Sequence, residues 1–148
     1  MFSKEETAAG KQAFWTAFGR YMQPVLGADG EAKKWMNYET GVGGIYLRIF
    51  LVGKDAFAGI EIADTESETG ARLVAVLIET LPLLARHTGP GWDWIQVANR
   101  PPNSLFWGTA LKGKNPVVQS HWPEIISFFK QNLLAMDAFW TEAGAAFE

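Results

Sequence analysis

Apolar residues recur at helical spacing near the start of the chain, at Phe14, Trp15, Phe18, Tyr21, Met22 and Val25. Ahead of them, Ser3 and Glu6 form a capping box, in which hydroxyl and carboxylate each satisfy one orphan amide of a helix start. The spacing predicts a first helix from about Lys4 to Met22. Pro24 lacks an amide hydrogen and disfavours helical geometry at Gln23, so the helix ends or kinks there. Gly27-Ala28-Asp29-Gly30 then reads as a turn, Trp35 to Tyr38 as a short strand, and Gly41-Val42-Gly43-Gly44 as a second turn.

The pattern next changes period. Ile45, Leu47, Ile49 and Leu51 alternate with Tyr46, Arg48 and Phe50, and after Gly53-Lys54-Asp55 so do Ala58, Ile60 and Ile62 with Phe57, Gly59 and Glu61. Two half-buried strands on so short a link predict an antiparallel hairpin. Thr65 and Glu68 repeat the capping-box spacing, and Leu73, Val76, Leu77, Thr80, Leu81 and Leu84 carry a second helix to about His87. Pro82 inside it predicts a kink or a split. Gly89-Pro90-Gly91 punctuates the chain. Trp92 to Ala98 and Leu105 to Leu111 read as a fourth and a fifth strand around the loop Asn99-Arg100-Pro101-Pro102-Asn103. After a loop from Lys112 to Ser120, Pro123 opens a last helix, where its missing amide costs nothing. Trp122, Ile125, Ile126, Phe129, Leu133, Met136, Trp140 and Ala143 give that helix one long apolar stripe. The order α-β-β-β-α-β-β-α, without repeats or linkers, predicts a single α+β domain over residues 1–148. Its sheet is largely antiparallel, with about five strands and helices mainly on one face.

Composition narrows the function classes. The 148 residues are 48% hydrophobic and 20% charged, a globular balance, and seven Trp, ten Phe and three Tyr provide for a sizeable core. A formal charge of −3 lacks the usual electrostatic footprint of a nucleic-acid binder. Without cysteine there is no disulfide, thiolate metal site or cysteine nucleophile. The start, Met1-Phe2-Ser3-Lys4-Glu5-Glu6, has no basic, apolar leader pattern, and no apolar run approaches the roughly 18 residues of a membrane helix. The expectation is a cytoplasmic protein without a membrane partner.

The chemistry-bearing residues are sparse. His87 and His121 are the only histidines, and neither belongs to a converging set of three or four ligands, so no metal is expected. Gly41-Val42-Gly43-Gly44 precedes a strand rather than a helix, unlike a phosphate cradle. There is no G-x-S-x-G elbow. The order of elements is that of a restriction-endonuclease-like core, with Asp55 and Glu61 as acidic candidates. The lysine of its acid-x-Lys motif is replaced by Ala63, which removes the group that positions the attacking water. Lys33-Lys34 and Lys112-Gly113-Lys114 are short basic pairs, not a stripe. No catalytic residue and no cofactor is expected.

The strongest anomaly is aromatic. If Ile45, Leu47, Ile49, Ala58, Ile60 and Ile62 face the core, the other face of the hairpin carries Tyr46, Arg48, Phe50, Phe57 and Glu61, with Trp92, Trp94 and Gln96 as additions. Either loops or the second helix cover this face as a second core, or it is open for recognition, where aromatics beside arginine are enriched. The candidate binding residues are Tyr46, Arg48, Phe57, Glu61, Trp94 and Gln96, with an Arg48–Glu61 pair at their centre.

Five phrases carry a family likeness: Phe14-Trp15-Thr16-Ala17-Phe18-Gly19-Arg20-Tyr21-Met22, Asn37-Tyr38-Glu39-Thr40-Gly41, Gly59-Ile60-Glu61-Ile62, Trp122-Pro123 with Ile126-Ser127-Phe128-Phe129-Lys130, and Phe139-Trp140. Together they resemble small bacterial proteins of the domain-of-unknown-function family 4268, from Ser3 to Glu148. The resemblance implies a domain found alone or behind a predicted nuclease domain. It implies no accepted catalytic residues. Two expectations follow. The first is a non-enzymatic interaction domain binding a protein partner or a second copy of itself through an aromatic surface. The alternative is a nucleic-acid-associated accessory domain, a degenerate relative of the nuclease fold.

Overall fold

In the computed structural model, which describes residues 1–148, the first helix, α1, spans Lys4–Met22. Ser3 Oγ accepts from the Glu6 amide and Glu6 Oε1 from the Ser3 amide, both at 3.1 Å, closing the capping box. Phe14, Phe18 and Met22 are its buried stripe. The expected strand at Trp35–Tyr38 is instead a 3-10 turn over Trp35–Asn37. Residues three apart eclipse in such a turn, which sends Trp35 and Tyr38 into the core together. There the Trp35 indole donates to the Val25 carbonyl at 2.9 Å.

The hairpin forms as the alternation predicts. Strand β1 (Ile45–Val52) pairs antiparallel with β2 (Asp55–Ile62). A short β3 (Asp93–Trp94) and a long β4 (Leu105–Lys112) complete an all-antiparallel sheet ordered β1-β2-β4-β3. The sheet thus has four strands, not five. Trp92–Ala98 supplies only two paired residues and one further bond, from the Ile95 amide to the Phe106 carbonyl at 2.9 Å. Beyond Ile95 the chain leaves the edge, and Asn99, at φ 67, and the Pro101-Pro102 step turn it back over the sheet. Cross-strand partners share a face, so Leu47, Ile60 and Trp107 line the helix side, and Tyr46, Glu61 and Phe106 the opposite side.

Helix α2 (Glu68–Thr88) and helix α3 (Trp122–Ala143) pack on that first side. The cap of α2 is Ser67, whose Oγ accepts from the Gly70 amide at 2.9 Å. Thr65, expected in this role, instead donates to the Asn103 carbonyl at 2.8 Å. Pro82 does not split α2. It lies on the solvent side, as does exposed Ile78, whose carbonyl the proline leaves without its usual amide and free to take water. Along α3 the stripe Ile125, Phe129, Leu133, Met136 and Trp140 is buried as expected, and Phe147 of a terminal 3-10 turn (Gly144–Phe147) folds back onto Trp140.

One polar residue interrupts that stripe. Asp137 is fully buried, and its carboxylate accepts from the Tyr38 hydroxyl and the Ala28 amide, each at 2.6 Å. With the bond from the Trp140 indole to the Thr40 carbonyl at 3.0 Å, it ties the segment between α1 and β1 to α3.

Candidate functional site

The face of the sheet away from the helices has its own small core. Phe50 stacks on Phe57 at 5.3 Å and meets Phe106 edge-on at the same separation. Phe57 and Phe106 are only 6% and 4% exposed. Phe106 fits because Gly59 and Gly108 oppose each other beneath its ring. A Cβ on Gly108 would stand 2.7 Å from the ring and 2.9 Å from the Gly59 Cα, closer than side chains tolerate. The segment 95–104 lies over Phe50 and Phe106, and the Lys112 ammonium over the Phe57 ring at 5.5 Å.

At its centre, two cations share one carboxylate. Glu61 is 1% exposed. Arg100, carried in by the covering loop, grips it with two bonds, Nε to Oε2 at 2.7 Å and Nη2 to Oε1 at 2.6 Å. Arg48 Nε adds a third at 3.2 Å, so the expected Arg48–Glu61 pair is present but is the weaker half of the cluster. This is the geometry by which a planar guanidinium recognises a carboxylate, and it is among the stronger hydrogen bonds in proteins. The carboxylate holds the Arg100 guanidinium above its already high range. Arg100 also lies over the Phe50 ring at 5.0 Å and Arg48 over the Tyr46 ring at 4.2 Å.

The candidate residues therefore separate. Tyr46, Arg48, Phe57 and Glu61 do share a face, with Tyr46 36% exposed at its rim. Trp94 does not. Its register partner is Trp107, which places it at the edge of the helix-side face, where the two indoles meet edge-on at 4.8 Å and Trp94 remains 40% exposed. Trp92 likewise packs against the main core. Gln96 is exposed in the covering loop. Trp94 and Gln96 nevertheless meet Arg100 along a cleft of about 420 Å³, which Val97, Pro102 and Phe106 also line. On the other side of Arg100 a second cleft, of about 340 Å³, is lined by Lys11, Phe50, Val52 and Asn99 among others.

Arg100 and Lys11 are the residues that sequence reasoning missed. The available signal was Glu61 itself: a carboxylate among the Ala, Phe, Gly and Ile residues of 56–62 needs a counter-ion. Which loop supplies it is not encoded in spacing. Asp137 was similarly marked by its position inside an apolar stripe.

The nuclease-like acids do not converge. Asp55 and Glu61 stand at opposite ends of β2, six residues or ~20 Å apart at about 3.3 Å per residue, too far to share a metal ion. Glu61 is committed to two guanidiniums, and Asp55 accepts from Lys112 Nζ at 3.4 Å and the Gly113 amide at 3.3 Å. The histidines are apart too. His87 Nε2 lies 2.9 Å from Glu142, and His121 Nδ1 accepts from the Asn115 amide at 2.9 Å rather than capping α3.

Fold and cluster together define an α+β domain with a four-stranded antiparallel sheet and a loop latched across its second face. The chain belongs to the family described as Domain of unknown function (DUF4268), whose model matches residues 10–143. No curated protein and no solved structure matches it. No helix is long and apolar enough to cross a membrane.

Proposed function

We propose that this chain is a non-enzymatic interaction domain that takes a protein partner at the clefts beside Arg100. The observation that carries the reading is the arch formed by residues 95–104. It commits the acidic and aromatic groups of the second face to structure while leaving Trp94, Gln96 and Tyr46 presented around it. An aromatic rim beside arginine suits recognition. The reactive groups of a hydrolase would instead need freedom to meet a substrate.

Affinity capture of the tagged protein from its native host, with protein and nucleic acid both quantified in the eluate, tests this. A stoichiometric protein partner that survives nuclease treatment and is lost with Arg48→Ala and Trp94→Ala is the expected result, both variants remaining folded. The reading fails if both variants unfold, or if the eluate holds nucleic acid that salt removes, because phosphate contacts release counterions. The latter result would establish the accessory-domain alternative.

A further inference from the structure

We infer that the partner segment recognised beside Arg100 is acidic: an extended peptide that sets a carboxylate between Lys11, Asn99 and Arg100 and lays an apolar neighbour in the cleft under Trp94. The inference rests on the interaction-domain reading and specifies its ligand.

Charge is the first argument. The chain holds 16 acidic residues against 13 basic ones, yet no Asp or Glu lines either cleft. Arg48 and Arg100 share one carboxylate, that of Glu61, and Lys11 lines the second cleft beside Arg100 without an ion-pair partner, so this region carries two positive charges in excess in an otherwise acidic molecule. On the second face the row of Arg48 continues through Gly59 and Gly108 to Asp93, three strands and ~14 Å away at about 4.8 Å per strand. That carboxylate already accepts from the Trp94 amide at 2.7 Å.

Unused donors are the second. Arg48 spends only Nε, and Arg100 only Nε and Nη2, so both terminal nitrogens of Arg48 and one of Arg100 find no acceptor within the protein. Lys11 makes no ion pair. The guanidiniums are held in place by Glu61 and by the rings of Tyr46 and Phe50, so little side-chain entropy is lost when an anion binds.

The same features favour protein over nucleic acid. A polyanion needs a run of phosphate contacts, and only Lys11, Arg48 and Arg100 supply cations here. Phe57 and Phe106, rings that bases would stack on, are only 6% and 4% exposed.

The test uses the full chain and three labelled probes in fluorescence anisotropy: a peptide alternating glutamate with leucine, the same peptide with glutamine for glutamate, and a single-stranded oligonucleotide of equal length. Variants Lys11→Glu and Arg48→Gln are followed by thermal melts, since Arg100 also latches the loop and its removal would confound binding with unfolding. Expected is binding of the glutamate peptide, at least about tenfold weaker for the glutamine peptide and at least about tenfold weaker for either folded variant, a tenfold change being the size expected of one charge-assisted contact. Equal binding of the glutamate and glutamine peptides, no binding of either, or tighter binding of the oligonucleotide overturns it. A captured host partner lost with Trp94→Ala but indifferent to Lys11→Glu removes the acidic segment and leaves the interaction domain standing. Absence of any protein partner removes both.

Discussion

Replacing Glu61 by Gln tests how far the second face depends on its one buried carboxylate. The side chain accepts three charge-assisted bonds, two from Arg100 at 2.6 and 2.7 Å and one from Arg48 at 3.2 Å. Breaking a fully buried ion pair costs about 3–5 kcal/mol, chiefly through the charge left unpaired. Here the stranded charges are arginines whose side chains are 36% and 26% exposed, so water recovers part of that loss. The amide also keeps one acceptor while turning two hydrogens toward guanidinium donors. We expect a loss of about 2–3 kcal/mol. In urea, with a slope of about 2 kcal/mol per M, the midpoint would fall by about 1–1.5 M at unchanged slope. A double-mutant cycle with Arg100→Met isolates the pair, with an expected coupling of about 1.5 kcal/mol or more. A loss below about 0.5 kcal/mol, or strict additivity with Arg100→Met, would refute the view that this cluster latches residues 95–104 to the sheet.

Other outcomes follow from the same structure. Tyr38→Phe leaves the buried Asp137 carboxylate with one donor and should cost about 1–3 kcal/mol at neutral pH in chemical denaturation. Burial, then the Asp137 hydrogen bond, raises the Tyr38 hydroxyl well above its ordinary value of 10.0. A raised pKa gives stability that is complete below pH 10 and declines as pH rises above it, so the wild type should lose stability there more steeply than Tyr38→Phe. Gly108→Ala places a methyl against the Phe106 ring and the Gly59 backbone and should destabilise by about 1–3 kcal/mol, read as a lowered melting temperature. Pro82→Ala should stabilise by about 1 kcal/mol, a part of the ~3 kcal/mol propensity gap, because it restores an amide to the Ile78 carbonyl without disturbing the core.

Periodicity determined much of this protein. The capping box of α1, the stripes of α1 and α3, and the alternation through residues 45–62 are local signals, the last two legible because a helix or strand repeats its inward face at a fixed interval. They also divided the two faces of the hairpin correctly and paired Arg48 with Glu61. The errors lie where distant groups decide. Trp35 and Tyr38 turn inward in a 3-10 turn because Val25 and Asp137 receive their polar atoms. Trp92–Ala98 has the composition of a strand, yet leaves the edge after Ile95. Arg100 lies 39 residues from the carboxylate it grips. A buried charge announces in sequence that it needs a partner, but spacing cannot say which one. Only the folded chain, by bringing the 95–104 loop across the sheet, chose Arg100, covered Phe50 and Phe106 and left clefts on either side of that arginine.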